Sequence, residues 1–282
     1  MKHFFSKIFF FNSTVAIIIL VCLLVYRKNN SEIIIKEKNI IIGDSNTECA
    51  INSDLIDNTI NLSKSGESYF YSYIKIKNIV SNNKIEKIFL SFSPHNIFRD
   101  DEKLKISSNN RIYSDFIYYF PILSTNEIKF LFSKDYLSSF FSILKSPKYF
   151  IYKNKKFGGH LLLNRNRLQQ KLKALKTKKK INWSYYDTDS VEVKYLKKIK
   201  KFLEQNDVEF YLINTPKRKE LINHSNDYLK FIEFYNKELS EVKFYDFSSY
   251  MGEEKYFSDL IHLNSLGSYF FSKNYFEELT KN

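Results

Sequence analysis

The spacing of apolar and polar positions changes period repeatedly along the chain. Ile40-Ile41-Ile42 reads as the end of a buried strand, and Ile60-Asn61-Leu62-Ser63 as a second short one. Ser68 to Val80 then carries aromatic and aliphatic residues at helical spacing. Lys87 to Phe92, centred on Ile88-Phe89-Leu90, returns to a strand that stops at Pro94. The same rhythm reappears near the C-terminus. Val191 to Gln205 predicts an amphipathic helix and Val208 to Ile213 a buried strand. A helix follows over about Lys219 to Leu239, then a strand from Val242 to Phe247, then a last helix with Asn264 as its N-cap. Strands alternating with helices predict a parallel α/β sheet covered on both faces.

Two stretches break this rhythm. Phe4 to Tyr26 is apolar apart from Ser6, Lys7 and Asn12-Ser13-Thr14, and is about as long as a bilayer crossing needs. No small-residue cleavage site follows it, and Cys22 is preceded by Leu20-Val21 rather than by the small residue of a lipoprotein signal. It therefore reads as an uncleaved signal anchor, with a buried core helix as the alternative. Lys2 and Lys7 precede the span and Arg27, Lys28, Lys36 and Lys38 follow it, so the flanking charges do not favour an outside C-terminus. Residues 100–187 read as a largely helical insertion. Within it Leu161, Leu168, Leu172 and Leu175 form a candidate apolar face, suited to a membrane surface or to packing on its own domain. The expected organisation is an anchor over residues 1–28 and an α/β domain over 29–282 that carries this insertion.

A length of 282 residues suits an anchor plus one substantial domain. The formal charge of +13 is concentrated: eleven Lys or Arg residues and no acid lie between Lys153 and Lys180. That stretch is either a solvated basic surface or a contact for anionic lipid or glycan. Nucleic acid is a weaker partner, because no DNA- or RNA-binding motif accompanies the charge. The two cysteines, Cys22 and Cys49, supply neither a disulfide framework nor a metal motif, and Cys49 reads as a small core residue. No metal or cofactor is expected.

Gly43-Asp44-Ser45 sits where the first strand turns into a helix, a place that exposes a serine hydroxyl at the rim of a sheet. Asp and Ser before a helix are also an ordinary N-cap. The later pieces add weight to the first reading. Asp259 and His262 are three residues apart on one loop, which lets the carboxylate meet imidazole Nδ1 and leaves Nε2 for the serine. In an open parallel sheet, the loops after the strands share one edge, where sites form. There is no G-x-S-x-G, P-loop, G-x-G-x-x-G or H-E-x-x-H.

Four blocks resemble the SGNH/GDSL hydrolase superfamily: Gly43-Asp44-Ser45, Asn61-Leu62-Ser63-Lys64-Ser65-Gly66, Ser93-Pro94-His95-Asn96 and Asp259-Leu260-Ile261-His262. The resemblance covers roughly 39–98 and 188–282. It implies a flavodoxin-like, three-layer αβα fold with a mostly parallel sheet. It also implies Ser45 as nucleophile, His262 as general base and Asp259 as its orienter. The Ser45 and Gly66 N–H groups and the Asn96 side chain would form the oxyanion hole. Asp44 is expected to shape the turn, and His95 to be structural or substrate-facing. His95 stands where the family usually has glycine. His3, His160 and His224 read as surface histidines. A membrane-anchored member resembles bacterial proteins that add or remove acyl groups on envelope polymers, commonly with a multispanning membrane acyltransferase as partner. This implies a single-pass protein of the cytoplasmic membrane, with its catalytic domain on the periplasmic or extracellular side. A non-catalytic accessory protein that binds a glycan or a membrane partner is the alternative.

Overall fold

The computed structural model of the protein describes residues 2–97, 115–116, 118–134, 157–164, 166–177, 190–222 and 227–281. It separates into two compact units, one of residues 1–33 with 103–155, the other of 34–102 with 156–282.

In the first unit, α1 (Lys2–Asn30) contains the predicted apolar segment. Residues 8–26 carry no charge, a run of about 28 Å at 1.5 Å per residue, close to the thickness of a bilayer's hydrocarbon core. Its large side chains, Phe9, Phe10, Ile17, Leu20 and Leu24 among them, are exposed, so this is not a soluble core helix. At its C-terminal end, Arg27 donates to the carbonyl of Leu123 (2.9 Å) and lies over the Phe120 ring. Phe116 packs against Phe120 and Phe132, the latter on α5 (Thr125–Lys134).

The second unit holds a five-stranded sheet: β1 (Asn39–Ile42), β2 (Thr59–Asn61), β3 (Lys87–Ser91), β4 (Glu209–Asn214) and β5 (Lys243–Asp246). All four strand pairings are parallel and the order is β2-β1-β3-β4-β5. This is the flavodoxin-like order, whose switch point lies between β1 and β3. Period-2 alternation splits the strand residues between two cores. Ile41, Phe89 and Ile213 join Ala50, Ile51, Phe247, Phe271 and Phe276 on one face. On the other, Ile40, Ile42, Ile88, Leu90 and Leu212 are fully buried. That face is covered by α3 (Tyr69–Asn82) packed on α7 (Val191–Glu204), and by α9 (Asp227–Glu238), whose Phe231 and Phe234 meet Phe92.

The predicted strands and the mostly parallel sheet are therefore present. The helix expected over Lys219 to Leu239 is described as α8 (Lys219–Ile222) and α9, with residues 223–226 outside the described set. Asn264 caps α10 (Ser265–Phe271), accepting from the Gly267 N–H at 2.9 Å.

Part of the stretch read as an insertion is built into this second unit. Gly159 N–H donates to the Ser63 carbonyl (2.9 Å), and Leu161 N–H to that of Glu48 (2.8 Å). Arg167 N–H reaches the Ser258 carbonyl at 2.7 Å. Residues 157–164 thus run as a strap from the end of β2 to the first residue of α10, where Ser265 N–H donates to the Leu163 carbonyl (3.2 Å). α6 (Leu168–Thr177) follows. Leu168 is buried in the core and Leu172 and Leu175 pack against it, whereas Lys171, Lys173 and Lys176 are exposed. Burying a leucine is worth about 1.5–3 kcal/mol, so this face is fastened to its own domain. Leu161 precedes the helix and is exposed, so it does not share that face. Residues 135–156 and 178–189 of the insertion, the end of the basic stretch at Lys178 to Lys180 among them, lie outside the described residues.

Candidate active site

Each strand of this sheet hands its chain to the same edge, and the site grows from the turn after β1. A Cβ on Gly43 would lie 2.2 Å from Ser91 Cβ and 2.7 Å from Thr47 Oγ1. Only glycine allows β1 and β3 to approach this closely here. Asp44 then caps the short helix α2 (Ser45–Ala50), its Oδ1 accepting from the Asn46 N–H at 3.0 Å. Ser45 is the first helical residue, so its own N–H has no intrahelical acceptor.

The loop after β5 brings the other two predicted residues. An antiparallel bridge between Phe257 and Leu263 closes it, and both side chains are buried. Asp259 Oδ1 accepts from the N–H groups of Ile261 and His262, each at 3.0 Å. The carboxylate is thereby fixed by its own loop before it meets the imidazole. His262 Nδ1 lies 2.9 Å from Asp259 Oδ2, and His262 Nε2 lies 2.8 Å from Ser45 Oγ. Burial alone would raise the Asp259 pKa. The hydrogen bond and charge of His262, with the two backbone N–H groups, outweigh burial and hold it below the usual carboxylate value. From outside, Arg218 N–H donates to the Leu260 carbonyl (3.0 Å), and Arg167 N–H to that of Ser258 (2.7 Å).

A sequence-family profile without a functional description matches residues 153–282. No curated protein sequence matches the chain. Two solved structures are similar to it. One is a candidate platelet activating factor from Streptococcus pneumonia, with 13% identity, TM-score 0.45, and coverage of 97% of this chain and 98% of that one. The other is a candidate acylhydrolase from Bacteroides fragilis, with 11% identity, TM-score 0.42, and coverage of 91% and 94%. Likenesses this distant assign neither a family nor an activity.

The remaining predicted residues also reach this edge. Lys64 to Glu67 form a turn, with Glu67 N–H donating to the Lys64 carbonyl at 3.0 Å and Gly66 at φ +74°. A positive φ at the third position is what a type II turn requires. Lys64 N–H donates to the Gly43 carbonyl (2.9 Å), and Thr47 Oγ1 to Ser63 Oγ (2.8 Å), so this turn is tied to the turn that carries Ser45. Asn61 strengthens the tie through Nδ2, which donates to the carbonyls of Thr47 (2.9 Å) and Ile51 (2.7 Å). Neither the Ser45 nor the Gly66 N–H has an acceptor among the described residues.

Asn96 lies on α4 (Pro94–Ile97) and is buried. Its Oδ1 accepts from Ser93 N–H (3.0 Å) and Ser93 Oγ (2.8 Å). Its Nδ2 donates to Asp44 Oδ2 at 2.9 Å, which leaves the second amide proton for a ligand.

Sequence reasoning undervalued Asp44. Besides capping α2, its Oδ1 accepts from Ser91 Oγ (3.1 Å), and its Oδ2 is 2.5 Å from His95 Nε2. Burial alone would raise its pKa. The charge and hydrogen bond of His95, and the bonds from Asn96 and the Asn46 N–H, more than reverse this and hold it far below the carboxylate range. His95 Nδ1 is 2.8 Å from Ser93 Oγ, so both ring nitrogens are occupied and neither is placed as a second base. His160 is not the surface residue that was expected: it is half-buried, with Nε2 2.9 Å from Ser268 Oγ. His3 is exposed on α1, and His224 lies outside the described residues. Lys217, after β4, is buried with its ammonium on Asn214 Oδ1; burial lowers its pKa to about 8, while the nearby charges of Asp44 and Asp246 resist the fall. Lys217 belongs to no motif, and although Asp44 and His95 lie in two of the four blocks, no sequence signal pointed to their pairing.

Proposed function

We propose that the chain is an SGNH/GDSL-type serine acyl-ester hydrolase or O-acyltransferase that works through an acyl-enzyme on Ser45. The observation that carries this reading is the continuous hydrogen-bonded line from Ser45 Oγ through His262 to Asp259. In this reading, Ser45 Oγ attacks the ester carbonyl carbon while His262 Nε2 takes its proton. Asp259 stabilises the imidazolium that forms and fixes the ring. The carbonyl oxygen becomes an oxyanion facing the Ser45 and Gly66 N–H groups and the second amide proton of Asn96. The carbon–oxygen bond to the leaving alcohol then breaks as His262 returns the proton to that alcohol. Water, or the hydroxyl of an acceptor, next loses its proton to His262 and attacks the acyl carbon, and Ser45 is released. No cofactor is required by this sequence of steps.

The decisive test is labelling with a fluorophosphonate probe. The wild type is expected to label and Ser45→Ala is not; an unlabelled, folded wild type would remove the enzymatic reading. Asn96→Ala is expected to lower kcat about 10²–10³-fold, as loss of an oxyanion donor does. Normal turnover in that variant would remove Asn96 from the site.

We further place the activity at the cell envelope, on an acylated or acyl-accepting polymer, with a multispanning membrane acyltransferase as a partner in the transfer case. The exposed apolar length of α1 supports the membrane location. The full chain is expected to stay with membranes through a carbonate wash, and release would leave only a peripheral association. Protease added to intact spheroplasts is expected to degrade the catalytic unit, whereas full protection would put it in the cytoplasm.

A further inference from the structure

The residue that follows the candidate oxyanion glycine is a buried acid, and nearly two turns into the next helix lies a buried lysine. The side chains of Glu67 and Lys75 have no solvent exposure. Lys75 Nζ contacts Glu67 Oε2 and the Leu62 carbonyl, each at 2.5 Å. Ser72 Oγ donates to Glu67 Oε1 at 2.8 Å. Where α3 begins, the Tyr69 N–H donates to Glu192 Oε2 of α7 at 2.7 Å. Lys75 therefore joins both ends of the segment Leu62 to Glu67, and Ser72 holds the Glu67 end; the last four residues of that segment form the type II turn with Gly66.

Stability does not explain this arrangement. Desolvating two charges costs about as much as their attraction returns, and a packed apolar pair is often as stable or more so. What a buried pair supplies is geometry: the ammonium has two acceptors on opposite sides of the turn, so the turn cannot rotate without stranding a buried charge. The only group in that turn that the mechanism uses is the Gly66 N–H.

We propose that the Glu67–Lys75 pair, with Ser72, positions the Gly66 N–H as an oxyanion donor; this rests on the reading of the site given above. Glu67, Lys75 and Ser72 touch no reacting atom, so they are positioning residues. Oxyanion stabilisation depends on donors lying within tenths of an ångström of where charge develops. A loosened turn would therefore cost rate far more than affinity.

The test uses the full-length protein in detergent, with p-nitrophenyl acetate as substrate and hydrogen exchange read over peptides spanning 62–72. Glu67→Leu/Lys75→Met removes both charges together, so that neither is left buried alone. It is expected to fold with a Tm within about 5 °C of wild type. Its kcat should fall about 10²-fold with KM changed less than about threefold, and exchange should rise in residues 62–68. Ser72→Ala removes one hydrogen bond and no charge. It is expected to lower kcat about three- to tenfold and to raise exchange in the same residues, with Tm lowered by no more than about 10 °C. A folded double variant with kcat within about threefold of wild type, or with unchanged exchange, overturns the proposal. If the double variant does not fold, Ser72→Ala decides: unchanged kcat and exchange overturn it. If the wild type turns over no ester and takes no fluorophosphonate, the enzymatic reading is what fails, and the exchange of residues 62–68 in Ser72→Ala still decides whether the pair fixes the turn.

Discussion

Ser45→Ala and His262→Ala each lower kcat by at least about 10⁴-fold, and the double variant is little worse than either. The expectation follows from the continuity of the line between Ser45 Oγ, His262 and Asp259, at 2.8 and 2.9 Å. Without the imidazole, the hydroxyl keeps its proton and is a poor nucleophile. Without the hydroxyl, the imidazole has nothing to activate in the acyl-enzyme route. Removing the second member of a unit that is already broken costs little more. A loss of 10⁴ corresponds to about 5.5 kcal/mol of transition-state stabilisation, too much for a loosened loop to imitate. Ser45→Ala should also keep wild-type stability, because the lost hydroxyl is not part of the core. The measurement is steady-state hydrolysis of a soluble ester beside a urea melt. Additive losses in the double variant would mean that the two residues do not act together.

The second large effect is expected at Asp44. Its two oxygens take the Asn46 N–H, the Ser91 hydroxyl, His95 Nε2 and Asn96 Nδ2. Asp44→Asn keeps the shape but turns one acceptor oxygen into a donor. If the amide nitrogen takes the Oδ2 place it faces two other donors, and in the reverse orientation it strands the Asn46 N–H and Ser91. Each unsatisfied buried group costs about 1–3 kcal/mol, so a stability loss of about 2–4 kcal/mol is expected, read as a lower urea midpoint at unchanged m-value. Activity should fall as well, since Asn96 loses the acceptor that aims its amide. The pH dependence has a definite sign. Asp44 and Asp259 both have folded-state pKa values below the ordinary carboxylate value. Their stabilisation is complete above that value, near pH 4, and is lost as pH falls through their folded-state values. Wild type should therefore lose stability steeply below about pH 4, and Asp44→Asn should lose less over the same interval. An acid limb equally steep in both would mean that Asp44 is not the carboxylate being protonated.

Much of this molecule is local enough to be written in one dimension. The strands are legible because a strand buried on both faces is a short apolar run, as in Ile40-Ile41-Ile42 and Ile88-Phe89-Leu90. The Asn264 cap is legible because it satisfies an N–H three residues away. The pairing of Asp259 with His262 is legible for the same reason, since both sit on one loop and the carboxylate also caps that loop. The apolar length of α1 follows from counting residues alone.

Other features depend on partners far apart in the chain, which periodicity does not report. The strap at 157–164 carries no strand or helix pattern, because its hydrogen bonds run to the backbones of residues 48, 63 and 265 rather than to itself. The basic composition around it marked the solvent face of α6 and not the buried line of Leu168, Leu172 and Leu175. Asp44 and His95 are 51 positions apart, and Tyr69 and Glu192 are 123 apart. In the sequence, Glu67 and Lys75 look like an ordinary acid and base on a soluble surface. A buried polar group is tolerated only when its partner has been brought to it, and which groups become partners is decided when the β-strands take the order β2-β1-β3-β4-β5 and close the site edge around them.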